Sequence, residues 1–305
     1  MASELDKRLL FVTGKGGVGK STVALALGIA AAKRGLKTIV CELSAQEHAS
    51  RTFRRAQIGF HEVELRENLW AISIDPDHSM REYILLQTRI RAMGDLLYRS
   101  RIFSYLAAAT PGLREMVTIG KIWELAQLDR KAKRGRRYDL VIVDAPATGH
   151  GIGFLQTPKT FAEIARVGPV HAQAKTVHRF LTDHSKAGVA IVSLPEEMAV
   201  TESALLEREL TEAIGIAVDR VYVNALYEER FTVEEANRIR AAELHLPSSR
   251  AAARSALSQV HRAEAQRMQL ARMETLVETP ISTLPFLFEA ELSASEIDYL
   301  AERVT

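Results

Sequence analysis

The amino-acid sequence predicts a three-layer α/β sandwich with a mostly parallel central sheet and an inserted helical subdomain. Short apolar runs typical of strands recur along the 305 residues, and stretches with helical spacing follow them. Most of these runs are continuously hydrophobic, as expected for strands whose two faces are both covered by helices. Two strand-to-strand connections are much longer than the roughly 12 residues that a minimal crossover requires, which indicates inserted helices.

Seven strands are predicted in chain order. They lie at 8–13, 37–43, 69–74, 139–145, 188–194, 219–226 and 280–286. The helix after the first strand should end where Lys33 and Arg34 precede Gly35, because basic residues followed by a glycine are typical of a helix C-terminus.

The two long connections predict the helical subdomain. We place it in inserts at roughly 76–137 and 150–187 of a single domain that spans 1–305. Met80, Met93 and Met116 lie among the apolar residues of the first insert, and two interpretations stay open. Flexible thioethers suit a groove that accepts varied apolar helices, whereas an apolar stripe at helical spacing is also typical of a core.

Composition limits the partners and the compartment. A net charge of +2 is too small to indicate nucleic acid, so we expect no sequence-specific nucleic-acid partner. Cys41 is the only cysteine, which excludes an intrachain disulfide and a cysteine-built metal site within one chain. No run approaches the roughly 18 apolar residues of a membrane span, and the N-terminal stretch is polar. We therefore expect a cytoplasmic protein with no transmembrane segment.

The stretch "GKGGVGKST" at 14–22 matches the phosphate-loop pattern GxxxxGK[ST], with a predicted strand before it and a helix after it. Its glycines let backbone N–H groups converge on phosphate oxygens, and the helix start adds its positive dipole end. The predicted fold is therefore a P-loop NTPase sandwich, and the predicted cofactors are ATP and Mg²⁺. The predicted nucleotide-binding residues of the loop are Gly14, Gly16, Gly17, Val18, Gly19, Lys20, Ser21 and Thr22.

Individual side chains of this loop have separate predicted roles. Lys20 should lie against the β- and γ-phosphates, Ser21 should ligate Mg²⁺, and Thr22 should lie nearer the α-phosphate. A second motif, "YDLVIVDAPATGH", places Asp144 at the carboxyl end of a strand, where ligands of open α/β sheets bind. Asp144 should hold Mg²⁺ through water. Gly149 should approach the γ-phosphate, and His150 is either a sensing residue or an ordinary loop histidine.

These motifs resemble those of the arsenite-pump and tail-anchored-protein-targeting ATPases, a family with a deviant phosphate loop. The likeness rests on "KGGVGKST" and "DAPATGHGIGFLQTP", and it extends to "NLWAISIDPD", "TPGLREMVTIGKIWEL", "VYVNAL" and "TPISTLPF" in the expected order. It covers most of the chain, which is most similar to the shorter, cysteine-poor bacterial members labelled anion-transporting ATPases.

The resemblance implies a dimeric ATP-hydrolysing switch. Lys15 matches a signature lysine that crosses a two-fold interface and contacts the partner's nucleotide, so Lys15, Lys20 and Asp144 are the implied catalytic residues. Asn224 is the implied adenine contact, because an amide both donates and accepts. The implied partner is a second copy or a paralogue, with an unknown protein or small-molecule client held on the helical subdomain.

The chain also departs from the family pattern. The aspartate that orients the attacking water in targeting and pump members falls on Ser44, which cannot take a proton as a carboxylate does. Glu42 and Glu47 are the possible substitutes, and slow hydrolysis is expected. Arsenite transport is not expected, because As(III) prefers several thiolates and Cys41 alone is present in a strand.

Two other functions stay open at this point. Ser44 fits a weakly catalytic nucleotide-binding subunit of a hetero-oligomer, and the two-lysine loop also occurs in positioning or partition ATPases. The basic run at 130–137 is interpreted as a solvated loop, although peripheral contact with acidic lipid or a partner fits it too.

Overall fold

A computed structural model shows an eight-stranded, mostly parallel sheet between two layers of helices. The structure describes residues 4–43, 48–55, 57–87, 100, 110–128, 136–164, 168–243, 245–289 and 291–304. Within these residues no helix is long and apolar enough to cross a membrane. The predicted α/β sandwich is confirmed.

The strands are numbered in chain order, and their order across the sheet is β3-β4-β2-β5-β1-β6-β7-β8. All neighbours are parallel except β3 and β4. Their bounds are β1 Leu9–Gly14, β2 Thr38–Glu42, β3 Val63–Arg66, β4 Leu69–Ser73, β5 Leu140–Ala147, β6 Ala187–Ser193, β7 Val218–Leu226 and β8 Ile281–Pro285.

The α-helices of the described part are numbered in the same way. Their bounds are α1 Lys20–Lys33, α2 His48–Thr52, α3 Pro76–Gln87, α4 Leu113–Leu125, α5 Thr148–Ile164, α6 Pro169–Leu181, α7 Glu197–Arg208, α8 Val233–Ala241, α9 Pro247–Leu276 and α10 Ala294–Ala301. A π-helical turn over Glu209–Ile214 continues α7.

Both faces of the central strands are buried, which explains their uninterrupted apolar sequences. In β1, Leu9 and Phe11 face one core while Leu10 and Val12 face the other, because successive side chains point to opposite faces. Helices α1 and α10 cover the second face, and α4 to α7 and α9 cover the first. The carboxyl ends of the parallel strands therefore form one edge, where the phosphate loop leaves β1.

The two long connections contain the described helices α3 to α6. Helix α3 packs against α4, α5 packs against α6, and α4 also contacts α5. Met80 and Met116 are both buried, so these two methionines pack in the interior, whereas Met93 lies outside the described residues. That these helices act as one subdomain with a client groove stays a prediction.

The structure also contains an element that the sequence prediction missed. Strand β3 has four residues, only one of which is buried, and it pairs antiparallel with β4 at the sheet edge. Near it, Arg136 lies over the ring of Trp70 at 4.5 Å and bonds to Glu64 at 3.4 Å. Arg136, a member of the predicted basic run, therefore contacts the protein itself, while 129–135 lie outside the described residues.

Candidate nucleotide-binding site

The phosphate loop curls between β1 and α1 through glycines with positive φ. Gly14, Gly17 and Gly19 have φ of 147°, 82° and 93°, a region in which a side chain is strained. A Cβ on Gly14 would collide with the carbonyl oxygen of Val192 in β6. The loop thus needs glycine for close backbone packing as well as for its turn.

Lys20, the first residue of α1, reaches back across this loop. Its Nζ donates a hydrogen bond to the backbone carbonyl oxygen of Lys15 at 2.9 Å, which closes the loop as a ring. Burial lowers the pKa of Lys20, and the nearby Asp144 carboxylate opposes that shift. The ammonium therefore lies inside the loop, close to an acidic group, where phosphate oxygens would be expected.

Ser21 and Asp144 form the candidate magnesium site. The Ser21 Oγ donates to Asp144 Oδ2 at 2.5 Å, which joins the start of α1 to the end of β5. Burial raises the pKa of Asp144, while the Ser21 hydrogen bond, His48 and Lys20 act to lower it. A hydroxyl and a carboxylate fit Mg²⁺, which takes oxygen ligands and uses few protein groups beside phosphates and water. No cluster of three or more His, Cys, Asp or Glu side chains that could hold a metal ion occurs among the described residues.

A cavity of about 480 Å³ joins the loop to the strand ends. It is lined by the kinds of group that bind Mg²⁺ and a nucleoside triphosphate: loop backbone, an ammonium, hydroxyls and a carboxylate. The lining residues are Gly17, Gly19, Lys20, Ser21, Thr22, Leu43, His48, Asp144, Ala145, Pro146 and Ala147. The structure therefore brings five of the predicted loop residues, Gly17 and 19–22, together with Asp144 around one space.

Asn224 contacts the other side of the phosphate loop. Its Nδ2 donates to the carbonyl oxygen of Val18 at 3.0 Å, and a Cβ on Gly19 would collide with it. The next residue, Ala225, has φ of 60°, and Gln266 of α9 bonds this turn by donating to the Ala225 carbonyl oxygen at 3.1 Å. Asn224 is therefore held beside the loop, on the β7 side of β1.

Three aromatic residues near Asn224 were not predicted. Tyr227 stacks on Phe286 with centroids 4.8 Å apart, and Phe286 meets Phe288 edge-on at 4.9 Å. Phe286 and Phe288 are partly exposed, and the Arg230 guanidinium lies 4.8 Å from the Phe288 ring. Two of these rings follow β8 in the sequence "PFLF", and the spacing of aromatics around a strand end was the available signal.

Lys15 points away from the cavity within the single chain. Its Nζ lies 2.7 Å from Glu202 Oε1 of α7, and each side chain is about one-third exposed, at 36% and 33%. Glu202 was not singled out from the sequence, because 187 residues separate the two partners. That Lys15 contacts the nucleotide of a partner subunit stays a prediction. In the single chain, Glu202 of α7 balances its charge.

Comparisons with known proteins agree with this geometry. A family model described as "Anion-transporting ATPase" matches residues 7–167 and 162–245. The chain belongs to the anion-transporting ATPase family. It is 31% identical to ATPase BagA of Mycobacterium tuberculosis over 223 residues, which cover 71% of this chain and 64% of that protein.

Other members of the anion-transporting ATPase family show similar likeness. A putative arsenical pump-driving ATPase of Chlorobaculum tepidum is 26% identical over 261 residues, covering 72% of this chain and 62% of that protein. ATPase GET3 of Podospora anserina is 30% identical over 162 residues, covering 52% and 46%. The chain thus spans less than two-thirds of the length of each of these relatives.

The expectation that Ser44 replaces the family's water-orienting aspartate stays a prediction. Ser44 and Glu47 lie in 44–47, outside the described residues. Glu42 is only 1% exposed, and its Oε1 accepts a hydrogen bond from the Ala49 backbone N–H at 2.9 Å, so it binds α2 and does not line the cavity. Of the two candidate substitutes, Glu42 is thus turned toward α2, and Asp144 is the one carboxylate among the described lining residues.

The second motif continues directly from β5 into α5. The Thr13 Oγ1 donates to the Pro146 carbonyl oxygen at 3.3 Å, which ties β1 to the start of this segment. Gly149 has open space where a Cβ would be, and its approach to the γ-phosphate stays a prediction. The side chain of His150 lies outside the described part, so its two interpretations stay open.

Proposed function

We propose that this chain binds ATP with Mg²⁺ and hydrolyses it. The observation that carries the proposal is the Ser21–Asp144 contact inside the cavity that the phosphate loop and Lys20 also line. Family membership supports the activity, since the relatives are named ATPases. Mg²⁺, when bound, would neutralise charge on the β- and γ-phosphate oxygens, and Ser21 and Asp144 would hold it, Asp144 through water.

The protein's own groups then account for phosphate recognition. Backbone N–H groups of 14–20 face the phosphates, and the α1 N-terminus adds its dipole. The Lys20 ammonium exchanges the Lys15 carbonyl oxygen for phosphate oxygens, a stronger charge-assisted contact. Burial of Lys20 and Asp144 strengthens both interactions, because fewer water molecules screen them.

The base of the nucleotide is proposed to lie toward β7. Asn224 is held against the loop there, and an amide matches the donor and acceptor edge of adenine. The partly exposed rings of Phe286 and Phe288 lie at the ends of the neighbouring strands, since Leu226 of β7 is in register with Pro285 of β8. A purine would stack on such rings.

We propose that ATP closes a dimer, with a second copy or a paralogue, in which Lys15 serves the partner's nucleotide. Within one chain Glu202 balances the Lys15 charge, so the lysine exchanges a carboxylate for phosphate on closure. The client would be a protein or small molecule on helices α3 to α6. Helix α5 supports this coupling, because it begins where β5 ends and contains the last three residues of the second motif.

Lys15→Ala tests the dimeric mechanism. We expect ATP turnover to fall about 100-fold and ATP-dependent dimers to disappear from light scattering after size exclusion, because the trans cation is lost. Lys175→Ala, which removes an exposed lysine of α6, should change neither. Unchanged turnover and dimer formation in Lys15→Ala would refute the mechanism.

A weakly catalytic nucleotide-binding subunit is the second candidate. It is supported by the position of Glu42, which is bonded to Ala49, and by Asp144 being the one carboxylate among the described lining residues. Purified single chain should then turn over ATP slowly, on the order of one per minute or less, and a paralogue should accelerate it. Turnover near the typical enzyme value of roughly 10 per second would reject this candidate.

A further inference from the structure

His48, the first residue of α2, lines the same cavity as Lys20, Ser21 and Asp144, and the proposed function gives it no role. It is half-buried, and the nearby Asp144 carboxylate acts to raise its pKa, so the ring lies near the candidate magnesium site. Of the described residues between the end of β2 and the end of α2, Leu43 and His48 line the cavity. His48 therefore contributes the polar group there.

The position of His48 is fixed by the residue that ends β2. Glu42 is in register with Asp144 of β5, and both carboxylate-bearing residues are buried. The Glu42 Oε1 accepts the backbone N–H of Ala49 at 2.9 Å, so the first turn of α2 is bonded to the end of β2. This contact holds the His48 ring at the cavity wall.

The contact between His48 and Arg51 determines which ring nitrogen can donate a hydrogen bond. Arg51 Nη2 lies 3.3 Å from His48 Nδ1, and a guanidinium only donates. Nδ1 must therefore accept, and a neutral ring carries its proton on Nε2. Burial and the charge of Arg51 lower the pKa of His48, and Asp144 acts in the opposite direction. The lowered pKa favours the neutral ring. The ring is thus a hydrogen-bond donor through Nε2.

The sheet order tells which part of a nucleotide His48 would meet. Strands β5 and β2 lie on one side of β1, and β7 with Asn224 lies on the other. A nucleotide with its base toward Asn224 and its phosphates on the loop extends its terminal phosphate toward Asp144 and α2. His48 lines the cavity and begins the helix that follows β2, on that same side of β1.

We infer that His48 donates a hydrogen bond from Nε2–H to the terminal phosphate of a bound nucleoside triphosphate. A diphosphate has no group at that place, so His48 makes the site prefer the triphosphate over the diphosphate. The inference rests on the proposed nucleotide site. It adds a residue from the segment after β2, in which Ser44 occupies the expected position of the family's aspartate.

The test compares the affinities of His48 variants for a non-hydrolysable ATP analogue and for ADP, both with Mg²⁺, by calorimetry. His48→Ala and His48→Phe should weaken analogue binding about tenfold and ADP binding less than twofold, because a hydrogen bond to a charged group is lost. His48→Gln should stay within threefold of the unsubstituted protein, since its amide still donates. His245→Ala, at an exposed position, is the matched control.

A second measurement separates contact from packing. In ¹⁵N-edited spectra, the His48 Nε2–H signal should move downfield with the analogue and stay in place with ADP. The inference is overturned if His48→Phe binds both ligands normally, or if His48→Ala weakens both equally, as a structural role predicts. If the unsubstituted chain binds neither the ATP analogue nor ADP, the proposed function fails together with the inference. If it binds both, and the His48 variants keep the normal preference for the analogue over ADP, only the role of His48 fails.

Discussion

The two sides of β1 present different chemistry at the same edge of the sheet. Toward β5 and β2, Asp144 and Glu42 are buried carboxylates that bond to Ser21 and to the Ala49 backbone. Toward β7 and β8, the polar contacts are neutral amides of Asn224 and Gln266, beside partly exposed aromatic rings. Buried carboxylates thus lie on the side where we propose the phosphates, whereas amides and exposed rings, with the Arg230 guanidinium over one ring, lie on the side where we propose the base.

The difference in charge and burial between the two sides of β1 predicts how strongly each side contributes to nucleotide binding. A buried charge interacts strongly with a phosphate or a cation, because water does not screen it, and its removal has a large effect. A half-exposed amide or ring contributes less and mainly selects the base. Substitutions on the two sides of β1 should therefore differ in how much they weaken function and in whether they change turnover or nucleotide selectivity.

Asp144→Asn should have the largest effect of the substitutions considered for the two sides. It keeps the shape of the side chain and the contact with Ser21 while removing the charge, so Mg²⁺-dependent ATP turnover should fall about 100-fold or more. Steady-state phosphate release measures this. Asp219→Asn, at the opposite end of the strands, is the control and should retain turnover. Turnover within threefold of normal in Asp144→Asn would contradict the assignment of the phosphate side.

Asn224→Ala should have an intermediate effect and change selectivity. Loss of the amide removes a hydrogen bond to Val18 and the proposed contact with adenine, so affinity for ATP should fall about tenfold while affinity for GTP changes little. Competition between labelled ATP and unlabelled nucleotides measures both values. Asn237→Ala, on the exposed part of α8, should leave them unchanged. Equal loss for ATP and GTP would show that Asn224 supports only the loop.

Glu202→Gln should have the smallest effect, and it should increase activity. The Lys15–Glu202 pair is partly exposed, and such pairs contribute up to about 1 kcal/mol, so its removal should favour dimers only a few-fold. Analytical ultracentrifugation at subsaturating ATP detects this change. Glu196→Gln, at the residue before α7, is a nearby acidic control. A loss of dimer in Glu202→Gln would mean that Glu202 belongs to the closed state.

Much of the fold was predictable because the parallel strands are buried on both faces. All seven predicted strands are present, as β1, β2 and β4 to β8, and each begins and ends within two residues of its predicted bounds. Strand β3 was missed because it has four residues, is mostly not buried, and mixes Val63 and Leu65 with Glu64 and Arg66. Its pairing with β4 depends on tertiary structure more than on a local apolar signal.

The candidate site was predictable where its residues are close in sequence. Lys20 and Ser21 follow from one motif, and Asp144 follows from a strand end. Glu202 was not predictable, because it meets Lys15 only through the order of strands in the sheet. The aromatic residues had a signal in their spacing around the end of β8, but the sequence does not show that they stack together. His48 was passed over because an isolated histidine carries no signal until its neighbours are known.

The two outermost strands of the described sheet also affect how copies of the chain can meet. Strand β3 is short and charged, and its Arg66 is anchored to Asp298 through two hydrogen bonds of 2.8 and 2.7 Å. Strand β8 is five residues long and ends at Pro285, which has no N–H to offer. Neither edge of the described sheet favours pairing with another β-strand, so the proposed cycles of dimer formation and release can proceed without fibrillar growth.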